Sequence, residues 1–196
     1  MDKLSGDQGA VFEQARTQAV ETVPAQMSMS TSLGPCVHQV FSARQTLAND
    51  VATFVQVMAD GGYATAAFTD AAGFAAEIGF GRGFETFTQD GSLNMWNVDG
   101  TARPMLERAL RWVERHAGTP FVVVVHTLQA KPPYVPPRAY LDVLNTEVVP
   151  GRSPAQGDEL RYAREIRYLD DSLATFVTKL DELSPHDSAY HHLRRL

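Results

Sequence analysis

The run Phe121-Val-Val-Val-Val125 constrains the fold more than any other stretch of this chain. β-Branched side chains lose little freedom in an extended backbone, which favours a strand. A strand without a polar face has to be covered on both sides, the usual condition in a parallel sheet. Parallel neighbours need crossover connections, and the flanking sequence supplies them. Leu106, Leu110 and Val113 recur at helical spacing just before the run, with Gly118 as a C′ residue. Tyr63 to Phe68 reads as a second buried strand. It follows a helix marked by Leu47, Val51, Phe54, Val55 and Met58 that stops at Gly61-Gly62.

Further elements fit the same alternation. Thr22-Val23-Pro24 reads as a helix start, because proline is tolerated in the first turn, and the helix runs to about Leu33 before Gly34-Pro35. Tyr162, Ile166, Leu169, Leu173, Phe176, Val177 and Leu180 form one stripe of a long last helix. Asp7 to Ala19 reads as a short strand or frayed helix, Ala71 to Gly91 as a loop rich in Gly and Phe, and Glu147 to Gly157 as a mobile loop. Lys131-Pro-Pro-Tyr-Val-Pro-Pro137 is neither helix nor central strand. The expected class is α/β: part of a doubly wound, mostly parallel sheet with helices on both faces. Ligands in such sheets bind beyond the carboxyl ends of the strands, so the segment after Val125 is the first place to look for chemistry.

Composition narrows the function classes. Of 196 residues, 44% are hydrophobic and 20% charged, enough for a buried core. The formal charge of -6 argues against a nucleic-acid binder, which would carry a basic face. A single cysteine, Cys36, excludes an internal disulfide and a zinc site built from several thiolates. No apolar run approaches the roughly 20 residues that span a bilayer. The first nine residues lack the apolar core of a signal peptide, so a cytoplasmic location is expected.

Several segments, in order, resemble the sulfatase family of the alkaline-phosphatase superfamily, from Met1 to about Leu183. They are Gly61-Gly-Tyr-Ala-Thr-Ala-Ala-Phe68, Phe80-Gly-Arg-Gly-Phe-Glu-Thr-Phe87, Pro120-Phe-Val-Val-Val-Val-His126, Tyr134-Val-Pro-Pro137 and Glu165-Ile-Arg-Tyr-Leu-Asp-Asp-Ser-Leu173. The resemblance implies one alkaline-phosphatase-like domain over residues 1–183, with a disordered tail over 184–196. It also implies sulfuric-ester hydrolysis with a divalent cation, calcium or magnesium, in complete family members.

The site positions depart from the family pattern. Its nucleophile motif, Cys/Ser/Thr-x-Pro-x-Arg/His, falls on Thr22-Val23-Pro24-Ala25-Gln26. Thr22 takes the nucleophile position, at a helix start suited to a tetrahedral anion. Threonine is not a substrate for conversion to the family's formylglycine. Gln26 replaces the basic partner. After the long strand, His126 persists, Gln129 stands for the family's Asp, and Lys131 stands for the sulfate-contacting His. Lysine holds an anion as a point charge but is a poor proton donor near neutral pH. The plainer readings are a capping turn at Thr22, a structural His126, a solvated Asp170-Asp171 pair, and loop packing for Phe74, Phe80, Phe84 and Phe87 with Arg82.

The family's metal ligands lie on a first strand and a late strand, neither recognisable here, so no metal residue and no cofactor are expected within this chain. Three functions follow. The first is a sulfatase-family domain inactive on its own. The second is a metal-dependent phosphoester hydrolase or transferase with Thr22 as nucleophile, acting on a small anionic ester. The third is a non-catalytic binding or scaffold module. Exposed sheet edges predict self-association or a partner chain.

Overall fold

The computed structural model describes residues 12–71, 73–90, 100–144 and 157–183. Its centre is a three-stranded sheet: β1 (Ala64–Thr69), β2 (Thr86–Gln89) and β3 (Phe121–His126), in the order β2-β1-β3. Both pairings are parallel, and the register sets Thr65 against Val122 and Thr69 against His126. The helices are α1 (Thr22–Thr31), α2 (Pro35–His38), α3 (Phe54–Asp60), α4 (Ala102–Arg115) and α5 (Gly157–Leu183). The fold is therefore α/β, as the valine run predicts. β1, the middle strand, is buried at every position, whereas β3 is half-buried throughout.

Alternation along the strands feeds two separate cores. Ala64, Ala66 and Phe68 of β1 and Phe121, Val123 and Val125 of β3 pack with Ala109, Trp112 and Val113 of α4 and with Phe176, Leu180 and Leu183 of α5. Phe87 of β2 and Val124 of β3 join the other core, with Met27 and Val23 of α1, Phe74 and Phe80. Trp112 is 2% exposed, and its indole N–H donates to Thr86 Oγ1 at 3.1 Å. Truncating such a side chain to alanine costs roughly 3–5 kcal/mol.

The structure corrects two local expectations. The helix expected from Leu47 begins only at Phe54. Arg82 holds the preceding stretch out of helical form by donating to the carbonyls of Leu47 and Ala48 and to Asn49 Oδ1. The start is then fixed by a capping box. Thr53 Oγ1 accepts from the Gln56 N–H at 3.2 Å, and Gln56 Oε1 accepts from the Thr53 N–H at 3.0 Å. Gly83 closes the junction at φ +84, where a Cβ would lie 2.4 Å from the Gln56 nitrogen. The second correction is β2, inside the segment read as a loop. Its Thr-Phe-Thr-Gln sequence is too short to announce a strand.

The described part of the N-terminal segment, residues 12–19, forms neither strand nor helix. The expected mobile loop, apart from Gly157, and the predicted tail over 184–196 lie outside the described residues. Among the described residues no helix is long and apolar enough to cross a membrane.

Candidate functional site

Because β1 and β3 run parallel and end in register at Thr69 and His126, the residues that follow them meet at one end of the sheet. Asp70 is the hub. Its Oδ2 accepts from the hydroxyls of Thr101 at 2.8 Å and Thr127 at 3.0 Å, and its Oδ1 accepts from the Leu128 N–H at 2.8 Å. Thr101 immediately precedes α4 and makes no side-chain cap bond to that helix. Its hydroxyl serves Asp70 instead. The Thr101 N–H goes to Gln129 Oε1 at 2.6 Å, and Gln129 is buried. The carboxyl end of the sheet is thus a closed set of donors and acceptors drawn from three separate stretches of chain.

His126 stands at the edge of this set, its Nδ1 3.2 Å from Thr69 Oγ1 and its ring stacked on Phe74 at 5.1 Å. Burial holds its imidazole below the usual value; the Asp70 carboxylate opposes that shift and the Lys131 ammonium adds to it. A neutral imidazole at pH 7 is the consequence. Lys131 is exposed at a turn, its N–H bonded to the Leu128 carbonyl at 2.8 Å. The peptide bond between Pro132 and Pro133 is cis.

Thr22 is the first residue of α1 and is exposed. Glu21 occupies the N-cap without a side-chain cap bond, so the expected capping turn at Thr22 is not formed. Gln26 is half-buried one turn on. Among the described residues no hydrogen bond or ion pair joins Thr22 or Gln26 to His126 or Lys131. The connection is apolar: Val23 and Phe74 share a core, and Phe74 carries the His126 ring. The structure therefore brings α1 to the core that carries the His126 ring without placing Thr22 against His126 or Lys131.

Other candidates resolve into structure. Phe74 stacks on Phe80 at 4.3 Å and on Phe87 at 5.9 Å, and Arg82 is spent on loop carbonyls, so these residues pack the loop. Asp171 accepts from the Tyr140 hydroxyl at 3.0 Å and pairs with Arg167 at 3.2 Å. Ser28 lies 3.1 Å from His38 Nε2, which resembles an activated hydroxyl. His38 Nδ1, however, accepts the Val40 N–H at 3.0 Å. The neutral ring therefore carries its proton on Nε2 and has no lone pair there to take one from Ser28. Burial also holds the His38 imidazole below its usual value.

Sequence reasoning missed Asp70, Thr101, Thr127 and the buried role of Glu165. Asp70 and Thr127 each follow a recognised strand, which was the available signal; nothing in the sequence marks Thr101.

Complete members of the family suggested by the sequence hold a divalent cation. The described residues do not fit one. No group of three or more His, Cys, Asp or Glu side chains gathers among them, and both Asp70 oxygens already accept hydrogen bonds.

Comparison with known proteins agrees with this frame. No curated protein matches the chain. The crystal structure of the lipoteichoic acid synthase LtaP from Listeria monocytogenes has a similar fold, with a TM-score of 0.62 at 18% identity. The match covers 85% of this chain and 41% of that one, so this chain spans less than half the length of the structure it resembles. Residues 1–190 match the sulfatase family. With that match spanning nearly its whole length, the chain belongs to the sulfatase family.

Proposed function

We propose that this chain is part of a sulfuric-ester-hydrolase type of domain and does not turn over a sulfate ester by itself. The observation that carries the reading is the closed hydrogen-bond set around Asp70, where polar groups at the carboxyl end of the sheet are spent on one another. Gln129, at the position of the family's Asp, is part of that set and has its side-chain oxygen committed to the Thr101 N–H. Lys131 and the start of α1 remain able to attract an anion, through an exposed ammonium and a helix N-terminus without a side-chain cap. Attraction alone does not protonate a leaving group, and a His126 held toward its neutral form is a poor proton donor near pH 7. On this reading the doubly wound sheet of the family is present only in part, and its metal-bearing strands are not among β1 to β3.

A second reading is a phosphoester hydrolase or transferase with Thr22 as nucleophile. It is favoured by the exposure of Thr22, whose hydroxyl makes no cap bond at the helix start, and by the likeness in fold to a lipoteichoic acid synthase.

Hydrolysis of one chromogenic sulfate and one chromogenic phosphate ester, with calcium or magnesium, separates the two. The purified chain is expected to turn over neither. Turnover that vanishes in Thr22→Ala would establish Thr22 as the nucleophile, and the preferred ester would name the reaction.

A further inference from the structure

We propose that Glu165 is a positioning residue whose proton governs how the segment from Gln129 to Val135, with Lys131 on it, is held against α5 at the carboxyl end of the sheet. This goes beyond the hydrolase reading and stands whether or not the chain turns over an ester.

Four of the seven residues in Lys131–Pro137 are prolines, so only Lys131, Tyr134 and Val135 carry a backbone N–H there. The segment is tied at its start, where Gln129 takes the Thr101 N–H, and at Val135, whose N–H donates to Glu165 Oε1 at 2.6 Å. Lys131 lies exposed between the two ties. Glu165 is 1% exposed, and its Oε2 is buried without a hydrogen-bond partner among the described residues. The Gln129 side chain lies near enough to ease ionisation of Glu165 without reaching hydrogen-bond geometry to Oε2.

A protonated carboxyl tolerates this setting. A carboxylate does not, because one N–H cannot replace its hydration. The charged and titratable groups nearest in the packed elements are Lys131 and Tyr134 on the segment, Arg138 and Tyr140 beyond it, Arg103 and Glu107 at the start of α4, and Arg161, Tyr162, Arg164 and Tyr168 on α5 itself. Burial outweighs the opposing pull of the Val135 N–H and the Gln129 side chain and pushes the Glu165 carboxyl up to about 7. Above that pH the charge gains water only if the segment lifts from α5.

The sign follows from linkage. A carboxyl raised above its unfolded value contributes stability that is full below about 4.5 and is lost as pH rises through about 7. His38 and His126, both held low, act in the other direction, losing stability as pH falls below 6.5. The informative quantity is therefore the difference between the wild type and Glu165→Gln.

Amide exchange at Val135 in the full chain, corrected for intrinsic exchange, reads the tie directly. The wild type is expected to lose about tenfold in Val135 protection between pH 5.5 and 8, and Glu165→Gln to change by less than about twofold. Protection independent of pH in the wild type, or an equal loss in the variant, overturns the proposal. If Glu165→Gln does not fold, a carbon-13 titration of wild-type carboxyls decides. A Glu165 midpoint near 7 supports the proposal, and one in the ordinary range of about 4.3 overturns it.

Discussion

Two acidic residues tie the segment after β3 to the rest of the protein with unequal supplies of donors. Asp70 has both oxygens engaged, by two hydroxyls and a backbone N–H. Glu165 has one engaged oxygen and one orphan, and it serves best when neutral. The difference lies in depth and in neighbours: Asp70 is half-buried, whereas Glu165 is buried. The residues after β3 and the residue before α4 deliver donors to Asp70, whereas the proline-rich segment beside Glu165 has few N–H groups to deliver. One end of the loop is therefore held by three donors, and the other by a single N–H.

The largest break in this comparison should come from Asp70→Ala. The two threonine hydroxyls can turn elsewhere, but the Leu128 N–H cannot, and a loss of about 3 kcal/mol is expected in denaturant unfolding at pH 7. A loss under about 1 kcal/mol would mean that the strand ends are held by packing alone. Gln129→Leu bridges the two anchors. It leaves the buried Thr101 N–H without its acceptor, at about 2 kcal/mol, measured by the same unfolding experiment. Because Gln129 favours the charged form of Glu165, its loss should also move the Glu165 midpoint further up, readable by carbon-13 titration. The smallest effect belongs to Tyr140→Phe, which removes a hydroxyl bonded to Asp171 and within reach of Arg103. About 1 kcal/mol should be lost, and equally at pH 5.5 and 8, since burial raises that hydroxyl's titration above its usual range. A pH-dependent loss would place Tyr140 in the Glu165 tie.

Much of the fold was legible in the sequence because it rests on long or repetitive signals. The valine run, the alanine-rich β1, and the stripes of α4 and α5 all sit where side-chain period predicts. The start of α3 was misread because Leu47 and Val51 fall in helical register by chance, while the deciding Thr53–Gln56 box is a shorter signal that went unweighed. β2 escaped because four residues are too few to show a period.

The site was legible only in outline. The place of His126 and Lys131 after a strand is legible from the valine run, and the structure puts His126 at the end of β3 and Lys131 at an exposed turn beyond it. The Asp70 network was not legible, since Asp70, Thr101 and Thr127 are brought together only by the parallel pairing and the entry of α4. Glu165 looked like one more charged residue on an amphipathic helix; only packing shows that it points inward.

That parallel pairing also sets a schedule. Thr69 meets His126, 57 residues later in the chain. At about 5–20 residues per second, a ribosome needs roughly 3–11 s to supply the partner of a strand already made. Throughout that interval Ala64–Thr69, buried at every position in the finished sheet, has its β3 edge unpaired. Contacts so distant in sequence slow folding and leave apolar strands open to the wrong neighbours. β1, which ends at the site, thus waits with an open apolar edge while the chain is being made.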